Sequence, residues 1–127
     1  MLIGVEEARP YAAHPSNHEF GFTHADLTDA MLYYAKDGVC IAVHPMPWPG
    51  VWMAHVFAKP EAWGTTTGPV IACLLEFWAA IEPDHLIAWV APRRRHAAAL
   101  IRRIGGKLEG VMANGIELYG WRPEWAR

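Results

Sequence analysis

The stretch HVFAKPEAWGTTTGP, from His55 to Pro69, decides how this sequence folds. It begins in an apolar run typical of a strand, passes through a turn rich in glycine and threonine, and leads into an apolar helix. A strand, a turn of small residues and a helix often present backbone N–H groups to a phosphate. Because the turn contains no lysine, two interpretations stay open: an anion site, or a plain turn before a helix.

The composition of the chain fits one globular domain. Its 127 residues suit a single hydrophobic core, and 53% apolar with 19% charged residues predicts a folded chain. The formal charge of −2 argues against broad nucleic-acid binding, although it leaves room for a local basic patch. Seven tryptophans is a high number for this length, and they indicate either a Trp-rich core or an exposed surface through which a homodimer could form.

The cysteines and the apolar runs indicate the compartment. Cys40 and Cys73 each sit inside an apolar run, which predicts buried free thiols in a reducing compartment. The first ten residues, MLIGVEEARP, lack the basic start and long apolar run of a signal peptide. The apolar stretch 70–81 is too short to span a bilayer and is interrupted by a glutamate. We therefore expect a cytoplasmic protein with no membrane segment.

Neither a metal site nor a catalytic triad is predicted. His14 and His18 have the spacing of a metal pair on a helix, but Pro15 between them argues against a helix there. No carboxylate or third ligand fits beside them. No Ser-His-Asp or Cys-His arrangement can be argued from the sequence either.

Periodicity and turn residues predict an alternation of strands and helices. Residues 1–26 give weak signals, and Asp26 or Thr28 could cap a short helix that ends before a turn at KDG. A strand–helix–strand–helix core then favours a parallel or mixed sheet. In chain order, we predict a helix at 27–35, strands at 39–43 and 51–58, a helix at 69–81, a strand at 85–91, a helix at 92–104, and a hairpin of two strands around Asn114-Gly115.

Three stretches in this order carry a resemblance to a known family, the GNAT superfamily of acyl-CoA N-acyltransferases. HVFAKPEAWGTTTGPVIACLLEFW resembles that family's fourth strand, pyrophosphate loop and third helix. HLIAWVAPRRRHAAALIRRIGGKLEGVM resembles its fifth strand, fourth helix and the turn into its sixth strand, and VMANGIELYGW resembles its closing hairpin. The resemblance covers about the last 80 residues, while residues 1–38 diverge. The short chain is also similar in style to GNAT-like proteins carried by bacteriophages.

The resemblance implies a fold. We expect a single α/β (α+β) domain over residues 1–127, with a mixed sheet, helices on both faces and a C-terminal β-hairpin. The strands that hold Val56 and Ala88 should be parallel and splayed at one end, and the opening should lie beside Gly64.

The resemblance also implies a binding site for acetyl-CoA or coenzyme A as co-substrate. In this family, acyl-CoA lies in a V-shaped opening between the fourth and fifth strands, and N–H groups at the start of the third helix hold its pyrophosphate. A helix N-terminus suits an anion because it carries roughly half a positive charge and its first N–H groups have no internal partners. By position, this assigns the strand edge to Val56, Phe57 and Ala58, and the phosphate loop to Gly64, Thr65, Thr66, Thr67, Gly68 and Val70.

A basic run adds to this binding set. Arg93, Arg94 and Arg95 open the second long helix, where the helix dipole disfavours cations. A CoA phosphate could offset that cost, so Arg93 and Arg94 join the candidate CoA site. A solvated basic corner is the alternative.

The sequence departs from the family pattern at five positions. Trp63 stands where the family's loop has Arg or Gln, and Thr66 replaces its middle glycine. Arg94 and Ile101 occupy the positions of an Asn and of a Tyr that serves as general acid toward the CoA thiolate. Gly106 replaces the Phe of the family's Gly-Phe turn. The loop and the acid are therefore the parts of the resemblance in question.

Three residues are candidates for acid–base chemistry. His55 lies on the strand beside the predicted opening and could take a proton from an amine, directly or through water. Its alternative is a packed histidine bonded to backbone. Glu61 follows the strand and is a second candidate base. Tyr119, on the closing hairpin, could act as an acid only if its side chain points inward.

Two functions follow from these observations. The first is an N-acetyltransferase that moves an acyl group from acyl-CoA to a primary amine of a small molecule or peptide. Phe57 or Ala58 N–H would polarise the thioester carbonyl in that case. The second is a GNAT-shaped protein without catalysis, such as a phage-borne assembly or binding module that uses a Trp-rich surface.

Overall fold

The computed structural model describes residues 1–15 and 26–126, and within them the chain forms one sheet flanked by helices. The strands are β1 Leu2–Ile3, β2 Leu32–Lys36, β3 Val39–Pro45, β4 Val51–Ala58, β5 His85–Val90, β6 Lys107–Val111 and β7 Glu117–Trp121. The α-helices are α1 Val5–Ala12, α2 Thr67–Ile81 and α3 Arg95–Arg103, and short 3-10 turns lie at Pro60–Ala62 and Pro123–Ala126.

The sheet is mixed, as the sequence predicts. Its strand order is β1-β2-β3-β4-β5-β7-β6. Strands β4 and β5 are parallel, and the other neighbouring pairs are antiparallel. Helix α1 packs on one face against β2, β3 and β4, whereas α2 and α3 cover the other face. The predicted α/β fold class, with a mixed sheet between helices and a closing hairpin, is confirmed.

The parallel pair β4–β5 separates along its length. The two strands are in register only at their first residues, where Val51 pairs with His85 and Met53 with Ile87. Strand β4 continues five residues beyond Met53, still paired with β3. Strand β5 continues to Val90 and pairs with β7 instead. The carboxyl ends of β4 and β5 therefore diverge, and the predicted splay is confirmed.

The larger core fills the space between the sheet and α2 and α3. Phe77 of α2 is fully buried there, with its ring centroid 5.4 Å from that of Trp52 and 6.1 Å from that of Tyr34. A smaller core lies under α1, where Phe57 packs with Ala8 and Ala12. Successive side chains of β4 point alternately into the two cores, so each side chain beside the opening lies either on the face of α1 or on the face of α2 and α3.

The helix predicted at residues 27–35 is wrong. Residues 32–36 form β2, in which Tyr33 packs under α1 while Tyr34 packs under α2. Because successive residues are buried on opposite faces of the sheet, this strand is covered on both sides. Its apolar residues therefore do not form the single stripe of an amphipathic helix. Asp37 and Gly38 both have positive φ, which is the two-residue turn that joins antiparallel strands. The helix of this region is α1, which contains Pro10.

The cysteines and the closing hairpin are found as the sequence predicts. Cys40 and Cys73 are buried free thiols, as predicted, and burial raises the pKa of Cys40 to about 12. The closing hairpin forms between β6 and β7, with a bulge between Leu108 and Gly110. Across residues 1–15 and 26–126, every helix is too short or too polar to cross a membrane.

Candidate functional site

The backbone of β4 turns alternate residues toward the opening between β4 and β5. Lys59 N–H donates to Gly38 O and Met46 N–H to Val51 O, and these bonds mark which residues of β4 face β3. In an antiparallel pair such positions alternate. The backbone N–H and C=O groups of His55 and Phe57 therefore bond to β3. Those of Ala54, Val56 and Ala58 point toward β5. Phe57 N–H, one of the two groups expected to polarise the thioester carbonyl, therefore points toward β3 and away from the opening.

The two faces of the opening differ in character. Val56 and Val90 belong to the face under α2 and α3. His55 lies on the face of α1, where continuing the register by two residues beyond Met53 and Ile87 places Trp89 opposite it. Trp89 remains 39% exposed on that face. An imidazole and an indole thus flank the opening on the side away from α2.

The loop after β4 leads to the start of α2 at the open end of the pair. In the described residues, the backbone N–H groups of Thr66, Thr67 and Gly68 have no hydrogen-bond partner. Thr65 N–H and its hydroxyl both donate to Ala62 O, and Val70 N–H donates to Thr66 O at 2.9 Å. Gly64 N–H has no partner in the described part of the chain either, so the donor set for an anion lacks only Thr65 and Val70 of the residues that the resemblance implies.

The two glycines of this loop have different roles, and their substitution should separate them. Gly64 has a φ of +89°, so alanine there should destabilise the fold by about 1–2 kcal/mol. Gly68 lies in α2, and a Cβ atom there would meet no other heavy atom within 4 Å. Alanine at 68 should stabilise the helix by about 0.5–1 kcal/mol. Urea unfolding is expected to move the two midpoints in opposite directions, and equal midpoints would contradict this account.

The basic run lies at the carboxyl end of β5, on the same edge of the sheet as the loop. Arg93 is exposed, and Arg94 precedes α3, with its N–H donating to Ala91 O at 3.0 Å. Arg95 donates to Glu117, and this contact lowers the pKa of the Glu117 carboxyl. The loops after parallel strands meet at one edge of a sheet. Arg93 and Arg94 are therefore on the side where the α2 N–H groups point.

The candidate base His55 is one half of a histidine pair. Its Nε2 lies 3.1 Å from Nε2 of His44, and the two rings stack with centroids 5.2 Å apart. Burial, with a smaller contribution from His44, lowers the pKa of His55 to about 4. The imidazole of His55 is therefore neutral at pH 7. The second candidate base, Glu61, is exposed in the 3-10 turn that follows β4.

The candidate acid Tyr119 is fully buried and is tied to another side chain. Its hydroxyl donates to Glu117 Oε1 at 3.2 Å. The guanidinium of Arg102 lies 5.7 Å from the centre of its ring. On β7, Tyr119 pairs with Ala88 of β5 and faces α3. It is thus beside the strand that lines the opening, but inside the core under α3.

The position of the family's general acid is occupied by a core side chain. Ile101 is buried in the core under α3. A Cβ atom at Gly106 would come within 2.6 Å of Ile101 and 2.8 Å of Trp121. The indole of Trp121 also donates to Ile104 O. Ile101 and Trp121 therefore both occupy the volume that a larger side chain at 106 would need.

The N-terminal helix reaches the same edge of the sheet. The ring of His14 lies 5.0 Å from that of Trp63, which is 52% exposed. Lys59 Nζ lies 4.5 Å from the centre of the Tyr11 ring. Trp63, in the place where the family's loop carries Arg or Gln, thus contacts His14 just beyond the end of α1.

The tryptophans are divided between core and surface. Trp78 and Trp121 are buried, whereas Trp48 and Trp63 are more than half exposed. Tryptophans therefore contribute to the core, while a Trp-rich surface stays a prediction.

Two residues of the site are not among the sequence candidates. His44 lies in β3 directly after the apolar run that ends at Val43, and its contact with His55 depends on the register of β3 against β4. Trp89 reads in sequence as part of a buried strand. The alternation His85, Ile87, Trp89 on one face is the signal that could have separated it from the core residues.

The described residues offer no alternative centre for metal chemistry. Among residues 1–15 and 26–126, no group of three histidine, cysteine, aspartate or glutamate side chains could hold a metal ion. His14 is placed against Trp63, and His18 lies outside the described residues.

Solved structures with the same architecture include acetyltransferases, some of them of the GNAT family. The GNAT-family acetyltransferase from Bacillus anthracis matches with a TM-score of 0.69 and 14% identity, over 94% of this chain and 89% of its own. Ribosomal-protein-S5-alanine acetyltransferase from Vibrio fischeri matches with a TM-score of 0.70 and 15% identity, over 98% and 92%. Campylobacter jejuni N-acetyltransferase PseH, in complex with acetyl coenzyme A, matches with a TM-score of 0.63 and 12% identity, over 75% and 70%.

Sequence comparison adds nothing to this likeness, since no family model and no curated protein matches the chain. At identities of 12–15%, the structural likeness shows the fold alone. The chain has the GNAT fold, with its splayed parallel pair and a helix N-terminus beside the opening.

Proposed function

We propose that this GNAT-fold chain is an N-acetyltransferase that moves an acyl group from acyl-CoA to a primary amine. The observation that carries the proposal is the coincidence of two features at one edge of the sheet. The β4–β5 pair ends its register at Met53 and Ile87, and the N–H groups of Thr66, Thr67 and Gly68 have no partner within the described residues. An extended thioester with a diphosphate at one end would use both.

Acyl-CoA would lie along the opening with its pyrophosphate at α2. The N–H groups of Thr66, Thr67 and Gly68, together with the positive end of the helix, suit a diphosphate. The backbone of Val56 points toward the opening and would bond the pantetheine amides. Arg93 or Arg94 would neutralise a further phosphate charge. Arg95 is less suited to this role because it is paired with Glu117.

The acceptor amine would enter on the face of α1. There His55 and Trp89 flank the opening, and Glu61 is exposed just beyond β4. The acceptor, an ammonium in solution, first loses one proton to become the neutral amine. Its nitrogen bonds to the thioester carbonyl carbon, the C–S bond breaks, and a second N–H proton ends on the thiolate. Removal of the amine's proton is the task of His55, or of Glu61. A small-molecule or peptide amine would fit such a site.

Binding of the co-substrate is the first test. In a thermal unfolding assay, acetyl-CoA or CoA at about 100 times its Kd should add ~2.7 kcal/mol to stability, or roughly 10 °C in Tm for a domain of this size. ADP should give a smaller shift, because it offers the diphosphate without the pantetheine. If none of the three ligands raises Tm at millimolar concentration, acyl-CoA is not the co-substrate.

A second function has one observation in its favour. Tyr119 is engaged with Glu117, and Ile101 is buried where the family's acid would be. A chain that keeps the fold without an acid suits a non-catalytic binding or assembly module, as in the phage-related alternative. CoA binding without any thiol release would favour this function. Cytoplasmic location and a homodimer through exposed tryptophans stay predictions.

A further inference from the structure

Trp89 is a large aromatic side chain that the core leaves exposed beside the opening. It is 39% exposed, although its neighbours along β5, Ala88 and Val90, are buried under α2 and α3. Because side chains alternate along a strand, Trp89 lies on the face of α1, where the register sets it across the opening from His55. A ligand that enters on this face would therefore meet the indole.

Trp89 also lies close to where the acyl group would sit. With the diphosphate at the start of α2, the acyl end of acyl-CoA would point toward Met53 and Ile87, where β4 and β5 are still paired. Trp89 is two residues beyond Ile87, which is ~7 Å along the strand. An amine nitrogen that attacks the acyl carbon from the face of α1 would therefore leave the rest of the acceptor beside this indole.

The hairpin next to β5 offers little to an acceptor with several positive charges. Its two carboxylates, Glu109 and Glu117, are both engaged with basic side chains. Glu109 lies 2.7 Å from His85 Nε2 and 3.5 Å from Arg122 Nε, and Glu117 is bonded by Arg95. Within residues 107–121, a second or third ammonium group would therefore find no carboxylate that is not already paired.

The charges on the β4 side of the opening point the same way. His55 is neutral at pH 7, because burial lowers its pKa to about 4. Between β4 and α2 the chain carries one cation, Lys59, and one carboxylate, Glu61. Glu61 is exposed, so solvent and salt weaken its attraction for a distant ammonium group. An acceptor with one charge and an apolar body fits these surroundings better than a polyamine does.

We propose that the acceptor is a monoamine with an aromatic ring, and that Trp89 selects it by packing against that ring. The inference rests on the proposed acyl transfer and names its substrate class. Two aromatic rings in an offset or edge-to-face contact attract each other beyond the water that they displace, and an indole offers a large face for such a contact. The ring adds affinity for the acceptor and leaves the bonds made and broken in the transfer as they are.

Three amines test this choice. Phenylethylamine and butylamine each carry a single charge and differ by the ring, whereas spermidine carries several charges and no ring. We expect kcat/KM for thiol release with phenylethylamine to exceed the values for butylamine and spermidine by about tenfold or more. In Trp89→Ala the preference over butylamine should fall below about threefold, and Trp89→Phe should keep most of it. Trp48→Ala is the matched control, because Trp48 is 60% exposed in the loop before β4, at the paired end, and should keep the parent's preference.

A binding measurement separates this inference from the acyl transfer. Isothermal titration of phenylethylamine in the presence of CoA should show weaker binding to Trp89→Ala than to the parent, and equal binding would overturn the inference. If the parent releases no thiol with any amine, the acyl transfer fails, while weaker binding to Trp89→Ala would still support the ring site. If the parent uses butylamine or spermidine as efficiently as phenylethylamine, or if Trp63→Ala instead of Trp89→Ala removes the preference, selection by Trp89 is wrong and the acyl transfer stands.

Discussion

Gly68→Val is expected to weaken CoA binding by at least about 100-fold, because the pyrophosphate would have to approach the backbone where the new side chain stands. The protein itself should tolerate the change, since a Cβ atom at 68 meets no heavy atom within 4 Å. Valine in the first turn of α2 costs no more than glycine. Isothermal titration with CoA measures the affinity, and urea unfolding verifies that stability is kept.

A matched substitution distinguishes the phosphate site from a general effect of added bulk. Gly110 of β6 also has open space around a Cβ atom, and it lies at the far edge of the sheet. Gly110→Val should bind CoA as the parent does. If Gly68→Val also binds CoA as tightly as the parent, the stretch from Gly64 to Gly68 is a plain turn before a helix, which the sequence left as its second interpretation.

Acetyl transfer by this chain is expected to be slow, at least about 100-fold below the ordinary ~10 s⁻¹ of enzymes, even where CoA binds well. A positioned acid for the departing thiolate contributes ~10²–10⁴-fold. Ile101 cannot donate a proton, and the hydroxyl of Tyr119 is already donated to Glu117 inside the core. Water would have to protonate the thiolate instead. Thiol release from acetyl-CoA, with a panel of polyamines, amino acids and peptide N-termini, measures the turnover.

Tyr119→Phe is the control for this prediction. If Tyr119 is only structural, its replacement should leave the slow rate nearly unchanged while removing one hydrogen bond from the core, a loss of about 1 kcal/mol in stability. Turnover near 10 s⁻¹ in the parent would show that an acid is present. Loss of that turnover in Tyr119→Phe would identify the acid as Tyr119.

The part of the fold that could be predicted is the part in which local pattern and tertiary structure agree. The apolar run of β4, the long apolar helix α2 and the Asn114-Gly115 turn each indicate one element without reference to the rest. The region before β3 was misjudged because β2 gains its stability from burial on both faces. The turn at Asp37-Gly38 is predicted, but as the turn after a helix, whereas it joins the two antiparallel strands β2 and β3. Helix α1 was missed because Pro10 interrupts its pattern.

The part of the candidate site that could be predicted is the part formed by residues adjacent in sequence. The loop from Gly64 to Gly68 is contiguous, so its place at the start of α2 follows from the strand before it. The histidine pair depends on the register between β3 and β4. In that register His44 pairs with Met53 and His55 with Ala42, so the two histidines are offset by two residues, which their positions in the sequence do not show. The engagement of Tyr119 likewise depends on which face of β7 lies under α3, and short apolar strands do not reveal that.

The packing of Trp121 against Gly106 and Ile101 has a consequence for how this chain could change. A larger residue at 106 alone would meet both Ile101 and the indole of Trp121. Residues in such contact do not change independently, so the effects of their substitutions are non-additive. A larger side chain at 106 would therefore be tolerated only together with replacements at 101 and 121, and the first of these changes alone should cost stability.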